Sequence, residues 1–176
     1  MKKRYFTLRV FLLLFLTCSF WCYSQNNKSK IKLHSISTGF GGFYFKKSNS
    51  EGGGASFVLN GTLESNKNLV NLCFLTGAEI GIIGGSTYNF NEFSVAYGRE
   101  LQLKNWISLE GFAGIGSYHQ TSKSIYATAG NSVSFPLKLN IKFYFTKNIG
   151  MGLNNSYSIN QINNNFSTNL IVHYNF

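Results

Sequence analysis

The residues with the clearest chemical potential are the three histidines, His34, His119 and His173. Nucleophilic catalysis by a histidine needs a serine within hydrogen-bond reach and a carboxylate that orients the imidazole. Hydroxyl residues flank His119 in the sequence at Ser117, Thr121 and Ser122. The chain has no aspartate, because all six of its acidic residues are glutamates. We therefore predict no catalytic residue and interpret His119 as an ordinary residue at the edge of a loop.

The sequence also lacks the residue patterns needed for cysteine chemistry and for phosphate binding. Cys18 and Cys22 lie in the apolar N-terminal segment, which leaves Cys73 alone in the rest of the chain. A single cysteine forms no intrachain disulfide, and the CxxC spacing of zinc sites is absent from the sequence. Gly52–Gly54 is not followed by a helical pattern, so it is not a phosphate-binding loop. We predict no metal site and no cofactor.

The N-terminus has the layout of a secretory signal peptide. Lys2, Lys3, Arg4 and Arg9 precede a short apolar run, and small residues stand at positions −3 and −1 before a cut between Ser24 and Gln25. The apolar run is too short for a transmembrane helix, which needs about 20 residues. The alternative is a lipoprotein acylated at Cys18. Removal of the four basic residues lowers the net charge of +10 to +6. The remaining positive charge is spread along the chain, which argues against nucleic-acid binding.

Alternating apolar and polar residues dominate the chain after residue 30. In 133–145 every odd position is apolar, and the even positions are mostly polar. This period of two is typical of β-strands, and the segment has the 9–11 residues that a strand needs to cross a membrane. Similar segments occur at 55–64, 69–83, 92–102, 106–117, 149–159 and 166–176. A glycine-rich segment at about 31–45, whose alternation is ambiguous, completes a prediction of eight strands.

The predicted connections between strands alternate in length. Three short turns contain Lys-Asn, at 65–68, 104–105 and 146–148, and the other connections are polar and mostly longer, at 46–54, 84–89, 119–131 and 161–165. Membrane barrels have short periplasmic turns and longer outer loops. The expected pairing in two hairpins agrees with this arrangement, because apolar residues then meet apolar residues. Folding about Lys147 pairs Phe143 with Met151, and folding about Lys104 pairs Leu101 with Ile107. Aromatic residues near the predicted strand ends suit interfacial girdles. They are Tyr44, Tyr88, Phe90, Trp106, Tyr157 and Tyr174.

The C-terminal segment 169–176 resembles the last strand of outer-membrane barrels, with apolar or aromatic residues at alternate positions and a final phenylalanine. The chain is similar to the family of small outer-membrane β-barrel proteins, of the size of outer-membrane protein X. The resemblance implies an all-β fold, an eight-stranded antiparallel transmembrane up-and-down β-barrel, in the cell outer membrane of a Gram-negative envelope. It also implies a signal for the barrel-assembly machinery, carried by Leu170, Val172, Tyr174 and Phe176.

These inferences define the expected organisation of the chain. We expect a signal peptide at 1–24, an N-terminal periplasmic lead at 25–30 and a barrel at 31–176. The barrel is expected to be a monomer in contact with outer-membrane lipid and lipopolysaccharide. Charged residues on its polar faces should pair or meet water, because an unpaired charge inside a narrow barrel is costly. These are Glu79, Glu100, Glu110, Lys138 and Lys142.

Three functions remain open at this stage. The first is a non-catalytic barrel, closed by a polar plug, that presents four outer loops in a structural or interaction role. The second is an enzyme that modifies lipid A, of the acyltransferase or deacylase type; the His-x-Ser and Asp-Ser patterns of those barrel families are not matched here. The third is a soluble, secreted lipocalin-like barrel that holds a ligand inside. The size of the side chains on the two faces favours the first. The apolar face of every strand is large, which suits contact with lipid, and the other face carries glycine, serine and asparagine, which fit a narrow lumen.

Overall fold

The computed structural model describes residues 30–47, 50–79, 88–122 and 129–176. The predicted signal peptide, with Ser24, Gln25 and the alternative acylation site Cys18, lies outside these residues, as do Ile80 and Ile82 of the third predicted strand. Within the described ranges, no helix is long and apolar enough to cross a membrane.

Alternating sequence patterns give eight strands. They are β1 (Lys32–Lys47), β2 (Ser50–Ser65), β3 (Asn68–Glu79), β4 (Tyr88–Lys104), β5 (Ile107–Ser122), β6 (Gly130–Tyr144), β7 (Ile149–Asn160) and β8 (Asn164–Asn175). Each strand pairs antiparallel with its neighbours in sequence, and β8 pairs with β1, which closes the sheet. The predicted eight-stranded up-and-down barrel is therefore confirmed. Closure leaves no free edge among the eight described strands.

The two faces of the sheet follow the predicted parity. On β2 to β8, the positions predicted to face outward do so and the alternate positions face the lumen, as in β6, where Phe135, Leu137 and Leu139 are about half exposed while Lys138 and Asn140 are buried. The structure also shows which residues of β1 face the lumen, a point that the sequence left ambiguous. Ser35 and Ser37 face the lumen, and Ile36 and Phe40 face outward. A lipocalin-type barrel would have the opposite arrangement, with its apolar face turned in.

The connections lie at two ends, which we call the turn end and the loop end. The turn end carries the three short connections, β2–β3, β4–β5 and β6–β7, together with the start of β1 and the end of β8. Asn66 and Lys67 connect β2 to β3 with φ of 50° and 65°, as a two-residue turn that follows the twist of its strands requires. The loop end carries the other four connections. There the strands run further than predicted: β1 and β2 extend to Lys47 and Ser50, and β5 and β6 to Ser122 and Gly130.

The hairpin registers give one confirmation and one correction. Phe143 pairs with Met151, as the parity argument predicts. The predicted pairing of Leu101 with Ile107 is wrong. The turn consists of Asn105 and Trp106, so Lys104 pairs with Ile107, and a register shift of one residue between Gln102 and Lys104 then makes Leu109 the partner of Leu101. A bulge adds one residue to one strand and displaces every pairing behind it. The displaced partners still face the same side.

The seam between β1 and β8 depends on glycine. A side-chain carbon added at Gly39 would lie 2.0 Å from the Leu170 carbonyl oxygen, and one added at Gly41 would lie 2.0 Å from that of Thr168. Real Cβ atoms do not approach backbone atoms so closely, so the two strands would have to move apart. At Gly61, on β2, a Cβ would meet nothing within 4 Å. The pairing that closes the barrel therefore needs two residues without side chains.

We predict that Gly39→Ala weakens barrel closure, whereas the matched change Gly61→Ala does not. Overpacking at a site that cannot relax costs about 1–3 kcal/mol or more, so Gly39→Ala should lower the midpoint of urea unfolding and the yield of the heat-modifiable folded form on gels. Gly61→Ala is the control for the loss of backbone freedom. Equal effects of the two substitutions would contradict the packing argument.

Candidate functional site

The inward faces of the eight strands form the candidate site. The type of side chain that lines the lumen changes along its length. At the turn end it holds charged side chains, in the middle it holds hydrogen-bonded polar side chains, and towards the loop end it holds aromatic rings. An eight-stranded barrel is just wide enough for its interior to be filled by side chains. The described part of the lumen is filled in this way, with most inward side chains almost fully buried.

An ion pair lies at the centre of the charged layer. Lys142 Nζ pairs with Glu110 Oε1 and donates a hydrogen bond to Ser35 Oγ at 3.0 Å. Asn140 Nδ2 donates to Glu110 Oε2 at 2.9 Å, and Asn154 Nδ2 donates to Asn140 Oδ1 at 2.6 Å. Glu110 and Lys142 are 0% and 1% exposed. Both oxygens of the carboxylate thus have partners, which a buried ion pair needs to offset its desolvation.

His34 joins this layer with two further carboxylates. Its Nδ1 lies 3.2 Å from Glu64 Oε2, and its Nε2 lies 3.5 Å from Glu100 Oε2 and 3.6 Å from Glu110 Oε1. The residues come from β1, β2, β4 and β5. Four strands therefore contribute to a single cluster of one imidazole and three carboxylates at the turn end of the lumen.

The middle of the lumen is hydrogen-bonded. Lys138 Nζ donates to Ser94 Oγ at 2.8 Å and to Asn71 Oδ1 at 3.2 Å. Glu92, which is 2% exposed, accepts a hydrogen bond from Ser134 Oγ at 3.1 Å. These bonds join β3, β4 and β6 across the barrel. Small polar residues suit this layer because their side chains are short and reach partners on neighbouring strands.

Aromatic rings fill the lumen towards the loop end. Phe45 stacks on Tyr88 with ring centroids 4.1 Å apart, Phe43 meets Phe90 edge-on at 4.9 Å, and Phe90 stacks on Tyr118 at 5.5 Å. We call these five rings the aromatic layer. The expected place of Tyr88 and Phe90 in an interfacial girdle is wrong, since they are 2% and 0% exposed in the lumen.

The aromatic layer keeps its polar atoms paired. The hydroxyls of Tyr88 and Tyr118 are 2.5 Å apart, and Asn163 Nδ2 donates to Tyr88 Oη and to Gln120 Oε1, each at 2.8 Å. Asn163 comes from the short connection between β7 and β8. Buried tyrosine hydroxyls usually find a partner in this way. The layer is thus tied to the loop end by hydrogen bonds as well as by ring packing.

The structure distributes the predicted interior charges over different layers. It brings Glu100, Glu110 and Lys142 to the turn end, Lys138 to the middle, and Glu79 to the last position of β3 at the loop end. His119 faces outward with Ser117 and Thr121, and its Nδ1 bonds Asn131 Oδ1 at 2.5 Å. His173 is buried against the Tyr144 ring.

The four residues of the C-terminal pattern lie on the outer surface. Leu170, Val172 and Tyr174 alternate with the buried Ile171 and His173 along β8, Phe176 follows the end of the strand, and the rings of Tyr174 and Phe176 meet edge-on. The Phe176 amide donates to the His34 carbonyl at 3.0 Å. The final residue of the chain is therefore bonded to the first strand. The role of these residues as an insertion signal stays a prediction.

Sequence reasoning missed two groups of interior residues. Glu92 opens the predicted segment 92–102 and has the same parity as Ser94 and Glu100, so the alternation of β4 is itself the signal that places it in the lumen. The aromatic layer was missed because large rings were expected only on the apolar, outward positions. Phe43, Phe45, Tyr88, Phe90 and Tyr118 occupy the polar parity of their strands, and that mismatch is the signal that marks them as luminal.

The fold is similar to that of solved outer-membrane proteins. Neisserial surface protein A gives a TM-score of 0.70 at 7% identity, over 84% of this chain and 99% of that chain. Ail, the attachment invasion locus protein of Yersinia pestis, gives 0.59 at 18% identity, over 82% and 99%. The N-terminal β-barrel domain of Pseudomonas aeruginosa OprF gives 0.50 at 16% identity, over 84% and 100%.

No protein-family model matches the sequence, and no curated protein matches it. At these identities the structural likeness concerns the fold alone. By fold, the chain is a small outer-membrane-type β-barrel.

We predict that Lys142→Met lowers the free energy of unfolding by about 3–5 kcal/mol, because it leaves the Glu110 carboxylate buried without its ammonium partner. The double variant Glu110→Gln/Lys142→Met should recover most of the loss, since it removes both charges. Urea titration of the folded barrel measures each value. Lys46→Met is the matched control, because Lys46 pairs with Glu51 at the exposed loop end, and it should change stability little. A double variant as unstable as Lys142→Met would contradict this account.

Proposed function

We propose that the protein is an integral outer-membrane barrel without catalytic activity, closed by side chains and acting through the surface that it presents outside. The observation that carries the proposal is the division of the sheet into an apolar outward face and a lumen whose exits are filled. The turn end lies in the periplasm and the loop end lies at the cell exterior, since short turns are periplasmic in membrane barrels.

The outward face supports contact with lipid. Phe40 is 73% exposed, and Phe93, Ile115 and Leu137 are each more than half exposed. Contiguous apolar surface of this extent is unfavourable in water and marks a membrane or protein contact. Trp106, Tyr157 and Tyr174 lie on this face near strand ends, where an aromatic ring can stay in the bilayer while its polar edge reaches water. Outer-membrane lipid and lipopolysaccharide are the proposed partners of this surface.

The filled lumen favours a closed barrel over one that lets solutes pass through. A solute would have to displace the aromatic layer at one end and the ion pair of Glu110 and Lys142 at the other. Both contacts are buried and hydrogen-bonded, so each opposes opening. The proposed role is therefore structural or interactive, through the outer loops, and the barrel acts as a single closed subunit that the barrel-assembly machinery inserts.

The described histidines support a non-catalytic role. His119 has an amide partner, Asn131, where a catalytic histidine would have a carboxylate. It also points away from the lumen, along with Ser117 and Thr121. His34 is held among carboxylates without a serine nucleophile among its contacts. An enzyme that modifies lipid A by nucleophilic catalysis would need a nucleophile in contact with a base, and the described contacts of His119 and His34 do not provide one.

We predict that Leu137→Arg destabilises the barrel in lipid far more than Leu103→Arg. Leu137 lies in the middle of β6, and Leu103 lies next to the last residue of β4 at the turn end. Arginine costs about 2–4 kcal/mol at the middle of a bilayer and about 0–1 kcal/mol near its surface. Unfolding titrations in phospholipid vesicles measure the two costs. A barrel that stays soluble without detergent, or equal costs at the two positions, would refute membrane insertion.

We predict that the aromatic layer shields Cys73 from the outside. Cys73 faces the lumen, is 3% exposed and packs in the same cluster as these rings. A membrane-impermeant maleimide should leave it unmodified in the folded barrel lacking residues 1–24, and Phe45→Ala/Tyr88→Ala should make it reactive. Phe40→Ala, which removes an outward ring, is the control. Rapid labelling of the unchanged barrel, measured by mass spectrometry, would rule out closure at the loop end.

A further inference from the structure

The cluster at the turn end contains an unusual juxtaposition of like charges. Glu100 and Glu110 are direct cross-strand partners on β4 and β5, and both point into the lumen. Carboxylates directly opposite each other on neighbouring strands repel. Glu64 lies on the other side of the same imidazole. Such an arrangement needs positive charge within the cluster.

A distortion of β1 brings His34 to these carboxylates. The register of β1 against β2 shifts between Leu33 and Ser35, so His34 is the extra residue of a bulge. In regular alternation, a residue next to the inward Ser35 would face outward. The bulge instead turns the imidazole into the lumen. Bulges are known to re-aim side chains next to functional sites, and this one places a nitrogen ligand between two oxygen ligands.

The charges of the cluster leave a deficit of two. The three carboxylates contribute three negative charges, Lys142 contributes one positive charge, and the imidazole contributes none in the neutral form that binds a metal. Moreover, His34 Nε2 is shut off from solvent, and its neighbours are the Glu100 and Glu110 carboxylate oxygens, which lie just beyond hydrogen-bond distance at 3.5 and 3.6 Å. A divalent cation would balance the charge and bridge this nitrogen to the two carboxylates.

The distances fit a metal ion. His34 Nε2 is 3.5 Å from Glu100 Oε2 and 3.6 Å from Glu110 Oε1, and the three ligand atoms all lie within 4.8 Å of one another. A tetrahedral site with bonds of about 2.1 Å has ligand atoms about 3.4 Å apart. We propose that the turn-end mouth of the barrel binds one divalent transition-metal ion of the zinc class through His34, Glu100 and Glu110.

Glu64 has the position of an orienting residue in this site. Its Oε2 lies 3.2 Å from His34 Nδ1, so it holds the proton on Nδ1 and leaves the lone pair of Nε2 for the metal. A carboxylate behind a ligating histidine is the usual arrangement at zinc sites. Glu64 and Glu100 are 30% and 25% exposed, which gives the ion a path from the mouth.

The ion pair with Lys142 is compatible with the metal. A carboxylate oxygen has two lone-pair sites, so Glu110 Oε1 can accept from the ammonium and bind the ion. Lys142 also donates to Ser35 Oγ, which keeps its position when it shares the carboxylate. One nitrogen and two oxygens leave a fourth position to water, and a mixed set of this kind favours zinc-like ions over magnesium or calcium.

The test is a calorimetric titration of Zn²⁺ into the untagged barrel, folded in detergent and stripped with chelator. We expect one ion per barrel, and we expect His34→Ala to abolish binding at that site. Glu64→Gln should weaken binding by about 10–100-fold, the usual effect of losing an orienting group. His119→Ala is the matched control, because it removes an outward histidine at the loop end, and its titration should be unchanged.

Two further measurements keep the result decisive. Gel heat-modifiability establishes that each variant is folded, and if His34→Ala does not fold, Glu100→Gln replaces it as the ligand-loss variant. The visible spectrum of the Co²⁺-loaded wild-type barrel needs no variant, and four-coordinate absorption is expected. No binding by the wild-type barrel, binding that survives both ligand-loss variants, loss of binding in His119→Ala, or equal competition by Mg²⁺ would each overturn the proposal.

Discussion

Closure of the sheet on itself is the constraint on which the rest of this structure depends. A strand whose outward face is apolar can leave water only if every backbone N–H and C=O finds a partner within the sheet. The pairing of β8 with β1 completes that requirement. It also defines the interior, because the side chains of eight strands then share one narrow lumen. Each inward residue must find its partners there or fill space.

The described lumen is filled in two physically different ways. Towards the turn end, charged and amide side chains form a connected set of hydrogen bonds around Glu110. Towards the loop end, the aromatic layer fills the same cross-section with rings, and only its hydroxyls need partners. The first solution ties neighbouring strands together by directed bonds. The second excludes water by volume.

Departures from regular strand geometry lie next to the charged layer. The bulge at His34 turns an imidazole inward, and the register shift beyond Gln102 follows closely after Glu100 on β4. Both irregularities occur at the turn end, where β1, β4 and β5 contribute to one cluster. A regular barrel would place fewer ionisable groups together at this mouth. The local geometry of two strands therefore sets the composition of the mouth and not only its shape.

The sequence by itself determined the strand number and the faces of the predicted segments of β2 to β8, because a period of two is a local property that each strand carries. It could not determine the face of β1, since glycines carry no hydropathy signal, nor the partner of Leu101, since Ile107 and Leu109 have the same parity and only the position of the turn and the bulge distinguish them. Only the closed tertiary structure placed Tyr88 and Phe90 in the lumen and His34 between Glu100 and Glu110. Those placements depend on which distant strands share a cross-section, and that is decided by closure and stagger of the whole sheet.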